Sequence, residues 1–114
     1  MTTVTFTRTK ETICIDIKGH AEYAESGKDI VCSAISILAY TLAEHLATVF
    51  EQGIIKKKPI VELGDGSFRI ECNTDDNKVY SYLLGKYMFV MVGYELIQNT
   101  YPEYVEIKIN ESLA

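Results

Sequence analysis

The chain is short of positive charge. Among its 114 residues, 11 are Lys or Arg against 16 Asp or Glu, a net charge of −5. Phosphate binding needs clustered cations that displace counterions, so this balance argues against nucleic acid as the main partner and favours a basic protein. The only basic run, Lys56-Lys57-Lys58, falls shortly after a helical pattern and before a proline. There it reads as a solvated connection at the end of a helix whose dipole favours cations.

Cysteine is also sparse. Cys14, Cys32 and Cys72 are odd in number, with no Cys-x-x-Cys and no metal-ligand spacing. That pattern points to reduced thiols in a cytosolic protein that needs neither a metal nor an organic cofactor. No basic and apolar leader opens the chain, which starts instead with strand-like alternation. The most apolar stretch, Tyr87 to Ile97, is interrupted by Gly93 and Glu95 and is too short for a span of about 20 residues. A cytoplasmic protein, neither exported nor membrane-inserted, is expected. Repeats and linkers are missing as well, and a 47% hydrophobic content can fill one core. A single domain over 1–114 follows.

What is present is regular patterning. Val4 and Phe6 alternate with threonines over 2–8, and Ile13, Ile15 and Ile17 alternate with Cys14, Asp16 and Lys18 over about 12–18, predicting a hairpin. On this pattern Cys14 falls on the more polar face, without an obvious partner. Asp29 caps a helix over about 29–52, with Val31, Ile35, Leu38, Leu42, Leu46 and Val49 on one face and a second row at Ile30, Ala34, Ile37 and Phe50. His45, well down this helix beside Glu44, reads as a surface or packing residue.

Two further strands, about 59–63 and 67–73, flank Gly64-Asp65-Gly66, a strong hairpin signal, and Cys72 falls on the apolar face. A second helix over about 75–99 carries Val79, Leu83, Tyr87, Val90, Tyr94 and Ile97 on one face and Leu84, Met88 and Met91 on another. Residues Tyr104 to Ile109 form a last strand with Val105, Ile107 and Ile109 inward, and 110–114 read as a disordered tail. The order β-β-α-β-β-α-β, rich in hairpins, predicts an α+β fold. Its mainly antiparallel or mixed sheet packs two long helices, with their broad apolar faces held between two sheets or covered by a partner.

The chemistry concentrates in residues 19–36. His20 follows a strand, Cys32 sits near the third position of the first helix, and Gly19 and Gly27 flank the intervening loop. A thiol reacts as its thiolate, which a helix N-terminus or a nearby imidazole favours. A histidine within reach of the sulfur would make a Cys–His pair for acyl transfer, and first-turn amides could hold an oxyanion. Asp29 reads either as the N-cap or as a group orienting His20. Ser36, one turn after Cys32, reads either as a contact to sulfur or substrate or as a back-bond to the Cys32 carbonyl. Small polar residues and glycine over Ala21 to Lys28 suggest a mobile substrate lid.

The run Gly19-His20-Ala21, a loop ending at Gly27, then Asp29-Ile30-Val31-Cys32 with Ser36 a turn later resembles the signature of the ribosomal-processing cysteine protease family, Prp. The resemblance implies a cytoplasmic endopeptidase that removes the N-terminal extension of a basic large-subunit ribosomal protein. It places His20 and Cys32 on the general base and nucleophile, and Gly19, Asp29 and Ser36 on supporting positions. It also implies a homodimer. The rival readings are a noncatalytic ribosome-associated factor and, less favoured for want of a resolving cysteine nearby in sequence, a thiol redox protein.

Overall fold

The computed structural model describes residues 1–25 and 27–112. Ser26 of the expected lid, and Leu113 and Ala114 of the expected tail, lie outside the described residues. The element order is the expected one: β1 (Thr2–Arg8), β2 (Thr12–Lys18), α1 (Ile30–Glu51), β3 (Ile60–Gly64), β4 (Ser67–Asn73), α2 (Asn77–Thr100) and β5 (Val105–Glu111).

All five strands join one mixed sheet in the order β3-β4-β2-β1-β5. Hairpin connections make β1–β2 and β3–β4 antiparallel, and β2 pairs antiparallel with β4. The crossover through α2 brings the last strand back parallel to the first, with Val4 opposite Ile107. Alternation then sends Val4, Phe6, Ile13, Ile15, Ile17, Phe68, Ile70 and Cys72 into one core with the inner faces of both helices. The result is two layers, one sheet and one pair of helices, so the option of helices held between two sheets is not taken among the described residues.

Asp76 caps α2 by accepting from Lys78 N–H at 2.9 Å and Val79 N–H at 3.1 Å, and α1 ends at Gln52 before Gly53. By length and composition α1 would suffice to cross a membrane, and it, rather than Tyr87 to Ile97, is the more apolar long helix. Its buried row Val31, Ile35, Ala39, Leu42, Leu46 and Val49 is core instead. At the centre, Phe6 meets Tyr87 and Tyr94 edge-on at 5.4 and 5.8 Å between ring centroids, pairings worth about 1 kcal/mol each beyond the area they bury. The Tyr94 hydroxyl donates to the Ile35 carbonyl at 2.9 Å, tying α2 to the helix that bears Cys32. His45 packs as expected, its ring stacked on Tyr82 with Nε2 3.0 Å from the hydroxyl.

Three expectations are corrected. Strand β5 runs through Asn110 and Glu111, where a disordered tail was expected, because pairing with β1 continues to Arg8 opposite Glu111 and the Ser112 N–H donates to the Arg8 carbonyl at 2.9 Å. Ile109, expected inward, is exposed, because β5 is an edge strand whose far end is left open. Cys14 does have a partner: its thiol donates to Asp16 Oδ2 at 3.6 Å, and Arg69, bonded to Asp16 at 2.6 Å and Glu71 at 2.8 Å, shares the same face of the sheet. Cys14 is therefore buried although it lies on the polar face.

Candidate active site

The site grows from the capping of α1. Asp29 has extended backbone angles and is buried, and its Oδ1 accepts the Cys32 N–H at 2.9 Å. Its other oxygen, Oδ2, accepts the N–H groups of Tyr23 at 3.0 Å and Ala24 at 3.3 Å. One carboxylate thus fastens the preceding loop to the helix start. Burial pushes the Asp29 carboxyl up. The N–H groups of Cys32 and Ala24, the Cys32 thiol and the Tyr23 N–H together outweigh that cost and hold it below the usual carboxylate range.

Of the two readings of Asp29, the geometry is that of the cap. The carboxylate beside His20 is Asp65, with Oδ1 3.5 Å from Nε2, on the β3–β4 turn. Sequence reasoning had treated Gly64-Asp65-Gly66 only as a hairpin signal, because the contact joins residues 45 positions apart, from 20 to 65. The same turn explains Gly66. Its φ is +64°, and a Cβ there would come within 2.8 Å of His20 Nε2, so the glycine gives the imidazole its seat. Gly19 is needed for a similar reason at the other end of the loop. With φ of +91°, it lies where a Cβ would be 2.5 Å from the Met1 carbonyl oxygen, and its own N–H donates to Gly66 at 2.8 Å.

His20, Asp29, Cys32, Ser36, Gly19 and Gly66 all line one cleft of about 610 Å³. Its far walls are apolar, from Ile17, Ile35, Ala39, Tyr40, Leu63 and Phe68. None of the strand β3–β4 contributors was singled out from sequence, since only the tertiary pairing brings them opposite α1. Ser36 is exposed in the cleft, and the hydroxyl back-bond of this turn belongs to Ser33, which donates to the Asp29 carbonyl at 3.1 Å. The Cys32 N–H, expected among the oxyanion donors, is already taken by Asp29.

The other two thiols are elsewhere. Burial, aided by Glu71, pushes Cys72 up to about 12, and burial followed by the charge of Asp16 does the same to Cys14. Neither has the thiolate character that reaction requires. The loop expected to be poorly packed is held at two points: Ala21 is buried, and the Tyr23 ring meets Tyr101 and Tyr104 edge-on at 5.4 and 5.2 Å. The composition of the loop had suggested little packing, but one methyl and one aromatic ring are enough to anchor its first half. Among the described residues no group of acids, histidines and cysteines is arranged to hold a metal.

The fold has solved counterparts. SMU.848 from Streptococcus mutans is 26% identical, with 97% of this chain and 95% of that chain covered and a TM-score of 0.72. The ribosomal processing protease Prp from S. aureus, solved with a covalently linked product peptide, is 23% identical over 96% of this chain and all 100% of its own, also with a TM-score of 0.72. The same protease with a substrate peptide is 22% identical over 96% and 100%, with a TM-score of 0.70. No curated protein matches the chain. The family model described as cysteine protease Prp matches residues 1–106, which take in all six elements from β1 through α2 and the start of β5, and the chain belongs to that family.

Proposed function

We propose that the protein is a cytoplasmic endopeptidase that removes the N-terminal extension of a basic large-subunit ribosomal protein, with Cys32 as nucleophile and His20 as general base. The observation that carries this reading is convergence. Two residues from different segments, the loop after β2 and the start of α1, line one cleft, while both remaining thiols are buried in the sheet.

In the reaction, His20 takes the Cys32 proton as Sγ attacks the scissile carbonyl, and the tetrahedral oxyanion forms. The C–N bond then breaks, and His20 passes the proton to the leaving amine. Water, deprotonated by the same imidazole, attacks the thioester and frees Sγ. Because Asp29 occupies the Cys32 N–H, the oxyanion must find its donors elsewhere, and the Ile30 and Val31 amides one step earlier in the helix are the nearest in sequence. Asp29 acts through position, holding both the helix mouth and the loop. A chain of net charge −5 meets a basic substrate with favourable long-range attraction.

A homodimer belongs to the same reading. Met88, Phe89, Val92 and Leu96 leave an apolar stripe on α2, and Phe89 is 80% exposed. A second copy lying on that stripe would cover it. Sedimentation of the protein and of Phe89→Lys tests this, and a dimer that survives the substitution would move the interface elsewhere.

The deciding experiment incubates the protein with the extended ribosomal protein and follows its N-terminus by mass spectrometry. Cleavage by the intact chain, lost in Cys32→Ala and in His20→Ala, is expected. Absence of cleavage by the intact chain would return the noncatalytic binding role, and cleavage by Cys32→Ala would remove the nucleophile assignment.

A further inference from the structure

A second hollow, of about 760 Å³, lies along α1 and the edge strand β3. Tyr40 and Leu63 line both it and the cleft. The two hollows therefore form one path, running outward from the Cys32 end of α1 with Tyr40 and Leu63 as the sill between them.

The lining is apolar where a water-facing surface would ordinarily be polar. Val61 and Leu63 stand opposite the core residues Ile70 and Phe68, so they point to the helical side of the sheet, yet they are 41% and 58% exposed. Neither is covered by α1, which contributes the small side chains of Ala43 and Ala47 to the lining of the hollow. All five residues of β3 are exposed, and the strand is outermost in the sheet, so among the described residues one row of its backbone N–H and C=O groups has no strand partner. A polypeptide in extended conformation can use both features together, backbone along the free edge and alternate apolar side chains over Val61 and Leu63. Glu44 stands exposed beside the path and favours a basic residue next to the apolar stretch.

We infer that the α1–β3 groove is an outlying subsite that binds an extended, apolar stretch of the peptide substrate adjoining the cleaved bond. The inference rests on the protease reading, and continuity identifies the occupant. A peptide whose scissile bond lies at Cys32 has to leave the cleft, and over the Tyr40–Leu63 sill it meets apolar surface and an unpaired strand edge.

The test uses two fluorescein-labelled peptides across the extension junction of the ribosomal protein from the same organism. One is confined to the cleft, and the other is longer by about six residues at each end, enough to follow β3 at about 3.3 Å per residue. Ala47→Arg fills the groove from an exposed helix position, where folding is not at stake, and Val61→Asp makes its floor polar. For the long peptide each substitution is expected to lower kcat/KM by about tenfold, mainly through KM, and to leave the short peptide unchanged. Equal effects on both peptides, or none on the long one, would overturn the subsite.

Binding anisotropy separates the two readings. In a Cys32→Ala background, Ala47→Arg should weaken binding of the long peptide by about tenfold. If the intact protein cleaves neither peptide while this Ala47-dependent binding persists, the protease reading fails and the groove stands as a peptide site. If cleavage persists and the binding difference vanishes, the groove fails alone.

Discussion

Cys32 and Cys72 are the same side chain at two addresses. Cys72 alternates into the core from β4 and is 2% exposed, and its thiol is pushed up to about 12 by burial. Cys32 is half-buried at the mouth of a helix, with its backbone held by Asp29 and a cleft in front of it. The contrast teaches that placement, more than residue type, decides which thiol can work. A β-strand position inside the sheet offers only packing, whereas a helix start offers open space, backbone donors and a loop that can carry a second group to it.

The sharpest way to break the comparison is to remove each sulfur in turn. Cys32→Ala should lower peptide cleavage by at least about a thousandfold, while Cys14→Ala and Cys72→Ala keep it within a factor of about two. Iodoacetamide followed by peptide mapping should label Cys32 in the folded protein and reach Cys14 and Cys72 only after denaturation. Next in size is the seat of the imidazole. Gly66→Ala puts a methyl group against His20 and strains a positive φ, so cleavage should fall by at least about tenfold and stability by about 1 kcal/mol. Steady-state kinetics and thermal melts of one preparation read both.

Asp29 comes third. Asp29→Asn should cost about 1 kcal/mol of stability, in the range for a lost cap, and loosen the loop over residues 23–24. Because the folded protein holds this carboxyl below its usual value, its ionised form stabilises the fold. That contribution is complete above the ordinary carboxylate value of about 4 and is lost as pH falls through the lower folded value. Urea melts at a series of acidic pH values should show the wild-type slope and a flatter one for Asp29→Asn. Smallest is Cys72→Ala, a cavity of one sulfur atom worth about 1 kcal/mol, with kcat/KM unmoved.

Much of this was legible in the residues. Element order, both helix faces, the two hairpins, the Asp29 cap and the motif from Gly19 to Ser36 follow from local period and local chemistry, and a local signal survives in one sequence. Pairings between distant segments do not leave such a signal. Nothing near Thr2 announces a parallel partner at Val105, and nothing near His20 announces a turn at Asp65 and Gly66. The apolar half of the cleft was missed for that reason, as was the length of β5. Cys14 was misjudged differently: alternation gave its face correctly, but the Asp16–Arg69–Glu71 cluster beside it makes a polar face that still buries a thiol.

The side-by-side seating of the first and last strands has a consequence for how the molecule comes into being. A nascent chain can zip β1 to β2 at once, but the other flank of β1 stays bare until the segment from Val105 onward has been synthesised. Thr2 lines the cleft, and its N–H is held by the carbonyl of Tyr104, so that wall is finished only once Tyr104 and β5 are in place. Until then the Thr2 N–H lacks the carbonyl that holds it, and that side of the cleft has no neighbouring strand.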